Sequence, residues 1–376
     1  MDDRDLLRRR AKAENEAENA ARSYRALRSA GRFLWRGVDE PGEKNFAARS
    51  YQACIGDVPQ PLARSRGVLG QETPPSVDVI IPTYHPDQRT IWLVHRLLNQ
   101  TYEVNRIYLI NSKTEHFPVE LTEFGEKVII RHIPKREFDH GGTRHQAAME
   151  SKADVVVFMT QDAVPVNERM IEELLAPFVD ASVGIVYGRQ IPCATANEIE
   201  RYTRGFNYPP VSRVKSLADL PRLGIKTFFC SNVCSAYRKD LYESLGGFES
   251  RIIFNEDMIM AAKLLHSGYK VAYAAAAKVL HSHNDSYLRL LKRNFDLGVS
   301  QTEYPEIFSL VNSKGEGVKL VRSSIKHLWD IRKPWLIPSL LISSGFKWLG
   351  YGSGRRYHRL PKWLVKRCSM NNAYWG

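Results

Sequence analysis

The sequence predicts an α/β protein with a mostly parallel central sheet flanked by helices, and three observations predict it. Short β-branched runs recur through the middle of the chain. Segments with apolar residues at helical spacing separate them. Each run also leads into a loop carrying polar residues, as expected at the carboxyl edge of a parallel sheet.

The elements follow in order. Residues 77–81 are a continuous apolar run ended by Pro82, the composition of a strand buried on both faces. Ile91, Val94, Leu97 and Leu98 repeat at helical spacing across residues 90–100. Residues 106–110 and 127–133 predict two more strands, 143–152 a helix, and 153–160 a fourth, strongly apolar strand. A helix over 170–179 and a strand over 183–189 continue the alternation, which makes parallel βαβ units.

On either side the composition changes. The first 50 or so of residues 1–75 are rich in Ala, Arg and Glu, a solvated helical extension suited to homo-oligomer formation. Pro59, Pro61, Pro74 and Pro75 mark the linker that ends it. Residues 76–302 form the α/β domain, and residues 303–376 a basic, aromatic, helical tail. From Ser313 to Gly376 there are 13 Lys and Arg against 2 Asp and Glu, a local net charge of +11 out of +13 for the chain. Five of the seven tryptophans also fall there: Trp329, Trp335, Trp348, Trp363 and Trp375. That mixture suits an anionic membrane surface. Nucleic acid is the weaker partner, because residues 335–350 are also apolar, broken mainly by Lys347. The stretch is shorter than the ~20 residues that span a bilayer. The alternative is a basic subdomain that packs its tryptophans inward.

Five cysteines without a CxxC pair predict free thiols in a reducing compartment rather than zinc ligands. The charged start, with no apolar h-region, predicts a cytoplasmic protein. With the tail on a membrane, that places it at the inner face of the cell membrane.

The strand-end loops carry the candidate chemistry. Pro82-Thr83-Tyr84 follows the first strand and Asn111 the second. Gly141-Gly142-Thr143-Arg144 follows the third, where glycine amides and an arginine could meet an anion, or form an ordinary turn with a surface arginine. Gln161-Asp162 follows the fourth; Asp162 is placed to ligate a divalent cation or to cap a helix. Further on, Glu256-Asp257 opens a helix, as a cap or as a general base. His281 and His283 share a face if their strand continues, and either could complete a site begun by Asp162 or be structural. Arg204 and Tyr208 belong to a cationic, aromatic stretch suited to sugars or phosphates.

Taken together, these motifs resemble family 2 glycosyltransferases of the GT-A fold, a Rossmann-like sheet flanked by helices. Glu137-Phe138-Asp139-His140-Gly141-Gly142-Thr143-Arg144, Thr160-Gln161-Asp162-Ala163, Phe254-Asn255-Glu256-Asp257, His281-Ser282-His283-Asn284 and Arg293-Asn294-Phe295-Asp296-Leu297-Gly298 are similar to the bacterial rhamnosyltransferase-like branch. The resemblance covers roughly residues 76–302. It implies that Pro82, Thr83, Tyr84, Asn111, Gly142, Arg144, Gln161 and Asp162 meet the nucleotide-sugar donor. It implies Mg²⁺ or Mn²⁺ on Asp162, helped by His281 or His283, because Gln161-Asp162-Ala163 keeps only one acid of the family's Asp-x-Asp. Asp257 would be the general base, supported by Glu256, with Arg204, Tyr208 and Arg293 on the acceptor side. The implied reaction is inverting transfer of a sugar, L-rhamnose from dTDP-rhamnose, to a glycan or lipid-linked acceptor in cell-surface polysaccharide synthesis.

Three other readings remain at this point. The donor could be another UDP- or dTDP-sugar. His281, His283 and Asp285 also spell HxHxD, a metallohydrolase pattern. A non-catalytic sugar-binding relative would tolerate the incomplete acidic motif.

Overall fold

The computed structural model describes residues 74–309 and 314–376, so the helical extension expected over residues 1–75 lies outside them except for its last two residues. The first half is the expected one. β1 (Val77–Thr83), β2 (Arg106–Asn111), β3 (Val128–His132) and β4 (Val155–Met159) pair in parallel in the order β3-β2-β1-β4. α1 (Gln88–Leu98) starts at a capping box made by Asp87 and Thr90, which satisfies amides that the first turn leaves free. α2 (His140–Glu150) starts at Asp139, whose side chain accepts from the Gly142 amide. Val79, Ile81, Val157 and Met159 pack with Leu93 and Leu97 of α1 in the main core.

The second half departs from a mostly parallel sheet. β8 (Cys234–Arg238) runs antiparallel between β4 and β6 (Val183–Ile191), and β6 pairs in parallel with β9 (Lys270–Leu280). The short strands β5 (Val164–Pro165) and β7 (Arg213–Lys215) are both antiparallel to β9. Strand direction depends on which end the incoming chain reaches, and the composition of a strand does not carry that information. The helix expected over 170–179 is also shorter. α3 (Met170–Leu175) gives way to a 3-10 turn at Ala176–Val179, where Pro177 cannot supply an amide.

The tail is fused to the sheet domain. α6 (Tyr287–Glu303), which follows α4 (Glu198–Asn207) and α5 (Glu256–His266), lies against α8 (Ile337–Gly354). Their backbones touch: a Cβ at Gly350 would stand 2.1 Å from the Leu291 carbonyl oxygen, and one at Gly354 2.1 Å from that of Phe295. Phe295 and Val299 share a small core with Val365 of α9 (Lys362–Cys368), against which Trp375 packs. The Asp296 carboxylate accepts from the Met370 amide at 2.9 Å. α7 (Lys314–Asp330) docks on α4, where His327 stacks on Tyr202 with ring centroids 4.3 Å apart. The sheet and the tail therefore share one compact unit, with no break at residue 302. Trp329, Trp335, Trp348 and Trp363 are 67–73% exposed, so inward packing describes Trp375 alone among the tail tryptophans. No helix among the described residues is long and apolar enough to cross a membrane. The cysteines among them are free, with Cys230 and Cys234 buried.

Gly354→Val should lower the unfolding free energy by about 1–3 kcal/mol, because its side chain meets backbone that cannot move aside. Gly345→Ala, in open space on the same helix, should be neutral or stabilising. Urea denaturation midpoints of the two variants check the contrast.

Candidate active site

At the carboxyl ends of β1, β2 and β3 lies a cavity of about 580 Å³, lined by Tyr84, Ser112, Lys113, His132 and Lys135 among others. Tyr84 is 44% exposed, and Lys135 Nζ stands 4.9 Å from its ring centroid and 3.2 Å from its hydroxyl. The aromatic face and two lysines suit a nucleobase and phosphates. Thr83 and Asn111, expected to line this pocket, lie buried beneath it. The Thr83 hydroxyl donates to Asn111 Oδ1 at 3.1 Å, and the Asn111 amide meets His132 Nδ1 at 2.9 Å. Both are the last residues of buried strands, so they brace the loops. Pro82 sits half-buried within β1. Lys113, His132 and Lys135 were legible by the same rule that selected Asn111, since each stands at or just past the end of β2 or β3.

Gln161 fixes the neighbouring loop. Its amide accepts from the Tyr84 N–H at 2.7 Å and donates to the Tyr84 carbonyl at 3.0 Å. This two-point clamp on backbone is something a carboxylate, which only accepts, could not make.

Beside it, Asp162 meets two imidazoles. Its carboxylate oxygens lie 3.6 Å from His281 Nε2 and 3.2 Å from His283 Nε2, and the two Nε2 atoms are 3.1 Å apart. One ligand atom from each residue falls within 4.8 Å of the others. Two ligands at right angles on an ion with bonds of ~2.1 Å would stand about 3 Å apart, so the donor set fits a cation. His281 is prepared for the task. Its Nδ1 lies 2.9 Å from Gln190 Oε1, which also accepts from the Arg204 guanidinium, so Nδ1 carries the proton and the Nε2 lone pair faces the cluster. Burial pushes the His281 pKa down to about 3, which keeps the ring neutral.

Arg204 and Tyr208, expected on the acceptor side, stand behind this cluster. Arg204 pairs with Glu200 at 2.6 Å, and the buried Tyr208 hydroxyl accepts from the Gln190 amide. Arg293 does reach a cavity next to His283. Asp285 leaves the HxHxD set: its carboxylate turns to Arg289 at 3.1 Å, away from the histidine pair.

At the start of α5, two adjacent carboxylates do different work. Glu256 is buried, with its carboxylate 3.5 Å from Arg144 and 3.2 Å from the Asn232 amide. Asp257 accepts from the Asn232 N–H at 3.1 Å and from its neighbour Met258 N–H at 2.8 Å. Burial, with the Glu256 charge beside it, pushes the Asp257 pKa up to about 7. β4 and β8 bring this carboxylate to the same sheet edge as Asp162. Met159 pairs with Cys234, and Thr160 donates to the Val233 carbonyl at 3.3 Å, next to Asn232.

Gly142 and Arg144, expected at the donor diphosphate, serve this loop instead. The Gly142 N–H is taken by Asp139 at 2.6 Å, within the first turn of α2. Arg144 is 5% exposed and also donates to the His140 carbonyl at 2.8 Å. A Cβ at Gly141 would stand 2.0 Å from the Glu249 carbonyl oxygen, so the first glycine permits a close backbone approach. The Gly142 amide is thus taken within the chain, and the Arg144 guanidinium is buried with Nη1 engaged and Nε without a hydrogen-bond partner.

The profile of Glycosyl transferase family 2 matches residues 78–246. The O-antigen chain rhamnosyltransferase RfbN of Salmonella typhimurium is 38% identical over 302 residues, covering 80% of this chain and 96% of the relative. WbaN of Salmonella anatum, of the same description, is 38% identical over 307 residues, with the same coverage. Among solved structures, a mannosyltransferase from Pyrobaculum calidifontis in complex with GDP-Man and Mn²⁺ is similar over 88% of this chain and 91% of its own, at 14% identity and a TM-score of 0.48. The chain belongs to glycosyl transferase family 2 and is a glycosyltransferase of its rhamnosyltransferase-like branch.

Replacing Gln190 with leucine should free the His281 ring and loosen the proton on Nδ1. Affinity of the cluster for a divalent cation, measured by calorimetry with Mn²⁺ as the probe, should fall about 10–100-fold. An unchanged affinity would show that Gln190 does not orient the ligand.

Proposed function

We propose that this enzyme transfers L-rhamnose from dTDP-rhamnose, with inversion, to a glycan or lipid-linked acceptor in O-antigen synthesis. The two Salmonella relatives, both O-antigen chain rhamnosyltransferases, support the sugar and the polysaccharide. The observation that carries the chemistry is a carboxylate raised to about 7, Asp257, on the sheet edge that also holds Asp162, His281 and His283.

In this reading the nucleotide occupies the cavity at Tyr84, with Lys113 and Lys135 near its charge and Gln161 holding the Tyr84 backbone in place. Asp162, His281 and His283 would hold a divalent cation, which neutralises charge on the departing nucleoside diphosphate. Two imidazoles favour Mn²⁺ over Mg²⁺, which prefers oxygen ligands. Asp257 takes the proton of the acceptor hydroxyl as its oxygen bonds to the anomeric carbon. The bond from that carbon to the diphosphate breaks on the opposite face, its electron pair leaves with dTDP, and the configuration inverts. Glu256 stays ionised against Arg144; its charge keeps the Asp257 pKa high and it takes no proton itself.

The tail adds a location. Four exposed tryptophans among basic side chains support adsorption to an anionic membrane at the cytoplasmic face.

Four outcomes are expected. Incubation with dTDP-rhamnose, Mn²⁺ and acceptor extract should release dTDP, faster than any UDP-sugar releases UDP; release from no donor favours the sugar-binding alternative. The kcat/KM of the native enzyme should rise with pH up to about 7 and then level, since Asp257 must be deprotonated to act. Asp257→Asn should lose ~10²–10⁴-fold in rate while still binding dTDP; near-normal turnover would remove the assignment. In co-sedimentation, the protein should bind vesicles containing phosphatidylglycerol and not pure phosphatidylcholine, and binding to neither overturns the membrane reading.

A further inference from the structure

Beyond His283 a second cavity of about 580 Å³ runs between α4, the start of α6 and the inner face of α8. The family profile ends at residue 246, so neither α6 nor α8 belongs to the matched segment. Its charges are unevenly matched. Glu200 is held by Arg204 at 2.6 Å and Asp285 by Arg289 at 3.1 Å, so both acids on the wall have partners. Two cations remain. Arg293 stands 3.9 Å from the already paired Asp285. Lys347, half-buried on α8, makes no hydrogen bond or ion pair with another described residue. Burial pushes its pKa down, and Arg293 and Arg204 nearby add to that, while the already paired Glu200 and Asp285 oppose it only in part. Such a group is costly unless an anion arrives to pair with it.

Helix α8 connects this cavity to the outer surface. Ser339, Ser343 and Lys347 recur every four residues and face the cavity, while Leu341, Ile342 and Trp348 on the other side are exposed. One helix thus offers an ammonium inward and an apolar, aromatic face outward.

We propose that this cavity binds a phosphate group of the acceptor, held between Lys347 and Arg293, so that the tail helix is part of the substrate site. The proposal rests on the transferase reading for the word acceptor, but the anion site itself does not depend on turnover. The donor's diphosphate belongs with the Asp162 cluster and the Tyr84 cavity. A second phosphate, borne by a lipid-linked glycan or by a soluble sugar phosphate, would account for the cationic surplus here.

The test is calorimetric titration of the full chain and of its Lys347→Gln, Lys347→Arg and Arg293→Gln variants. Inorganic pyrophosphate in EDTA probes the cavity without the metal; dTDP with Mn²⁺ probes the donor site. Pyrophosphate should bind the native protein, weaken at least tenfold in both glutamine variants and be largely retained in Lys347→Arg, while dTDP affinity stays unchanged. Pyrophosphate binding equal in all four proteins overturns the proposal, as does no binding to the native protein. Parallel loss of dTDP and pyrophosphate assigns the cavity to the donor and also overturns it. A folding readout guards the comparison: pyrophosphate should raise the thermal midpoint of the native protein and leave that of Lys347→Gln where it was. Dodecyl phosphate and glucose 1-phosphate then distinguish the carriers. Tighter binding of the first supports a lipid-borne phosphate and equal binding a soluble one, both requiring Lys347. Because no step needs catalysis, an active Asp257→Asn enzyme would sink the proposed mechanism and leave this result standing.

Discussion

The carboxylate of Asp139 joins two stretches of chain about 112 residues apart in sequence, and the sheet edge that carries Asp257 is built around that junction. It accepts from the Gly142 N–H at the start of α2 and from the Arg251 and Ile252 N–H groups in the loop that leads to α5. Three donors on one carboxylate satisfy it almost completely, so the loop has one position relative to α2. The contact also needs Gly141, since any side chain there would strike the Glu249 carbonyl. A little further along, Arg144 and Glu256 close the same junction from inside. Removing either would leave a buried charge without its partner, a loss of the order of 3–5 kcal/mol.

What the junction decides is the direction of two neighbouring carboxylates. Asn255 adopts a left-handed conformation, with φ of +68°, and its side chain is tied to Ser300 of α6. From there the helix starts with Glu256 turned to Arg144 and Asp257 turned to Asn232. The inner acid raises the proton affinity of the outer one without sharing its chemistry. A similar division runs through the other cluster, where Gln190 sets the proton on His281 and never approaches the proposed ion. In both places a polar group one layer back prepares the group in front.

The tail is tied to the same framework. Phe295, Asp296 and Gly298 of α6 bind α9, the Met370 amide and α8 respectively, while Asn255 grips Ser300 one turn later. A displacement of α8 would therefore be felt at the loop that carries Asp257. That coupling gives a basic, aromatic tail a structural reason to be continuous with the sheet.

The sequence by itself determined the parallel half of the sheet, the carboxyl edge as the place to look, and the acid, base and imidazole candidates at Asp162, Asp257, His281 and His283. Those are local properties: β-branched runs, helical periodicity and the residues just after each strand. It also made visible the charge and tryptophans of the tail. Only the tertiary structure decided that β8 enters antiparallel, that Thr83 and Asn111 lie under the pocket instead of in it, and that Asp285 faces Arg289. Gly142 and Arg144 show why. A glycine amide and an arginine after a strand suit a phosphate by type, but Asp139 takes the Gly142 amide within the first turn of its own helix, and Glu256 reaches Arg144 across a gap of sequence that local pattern cannot bridge. Burial and pairing are properties of the folded chain, and they decide which of the available polar groups remain free to act.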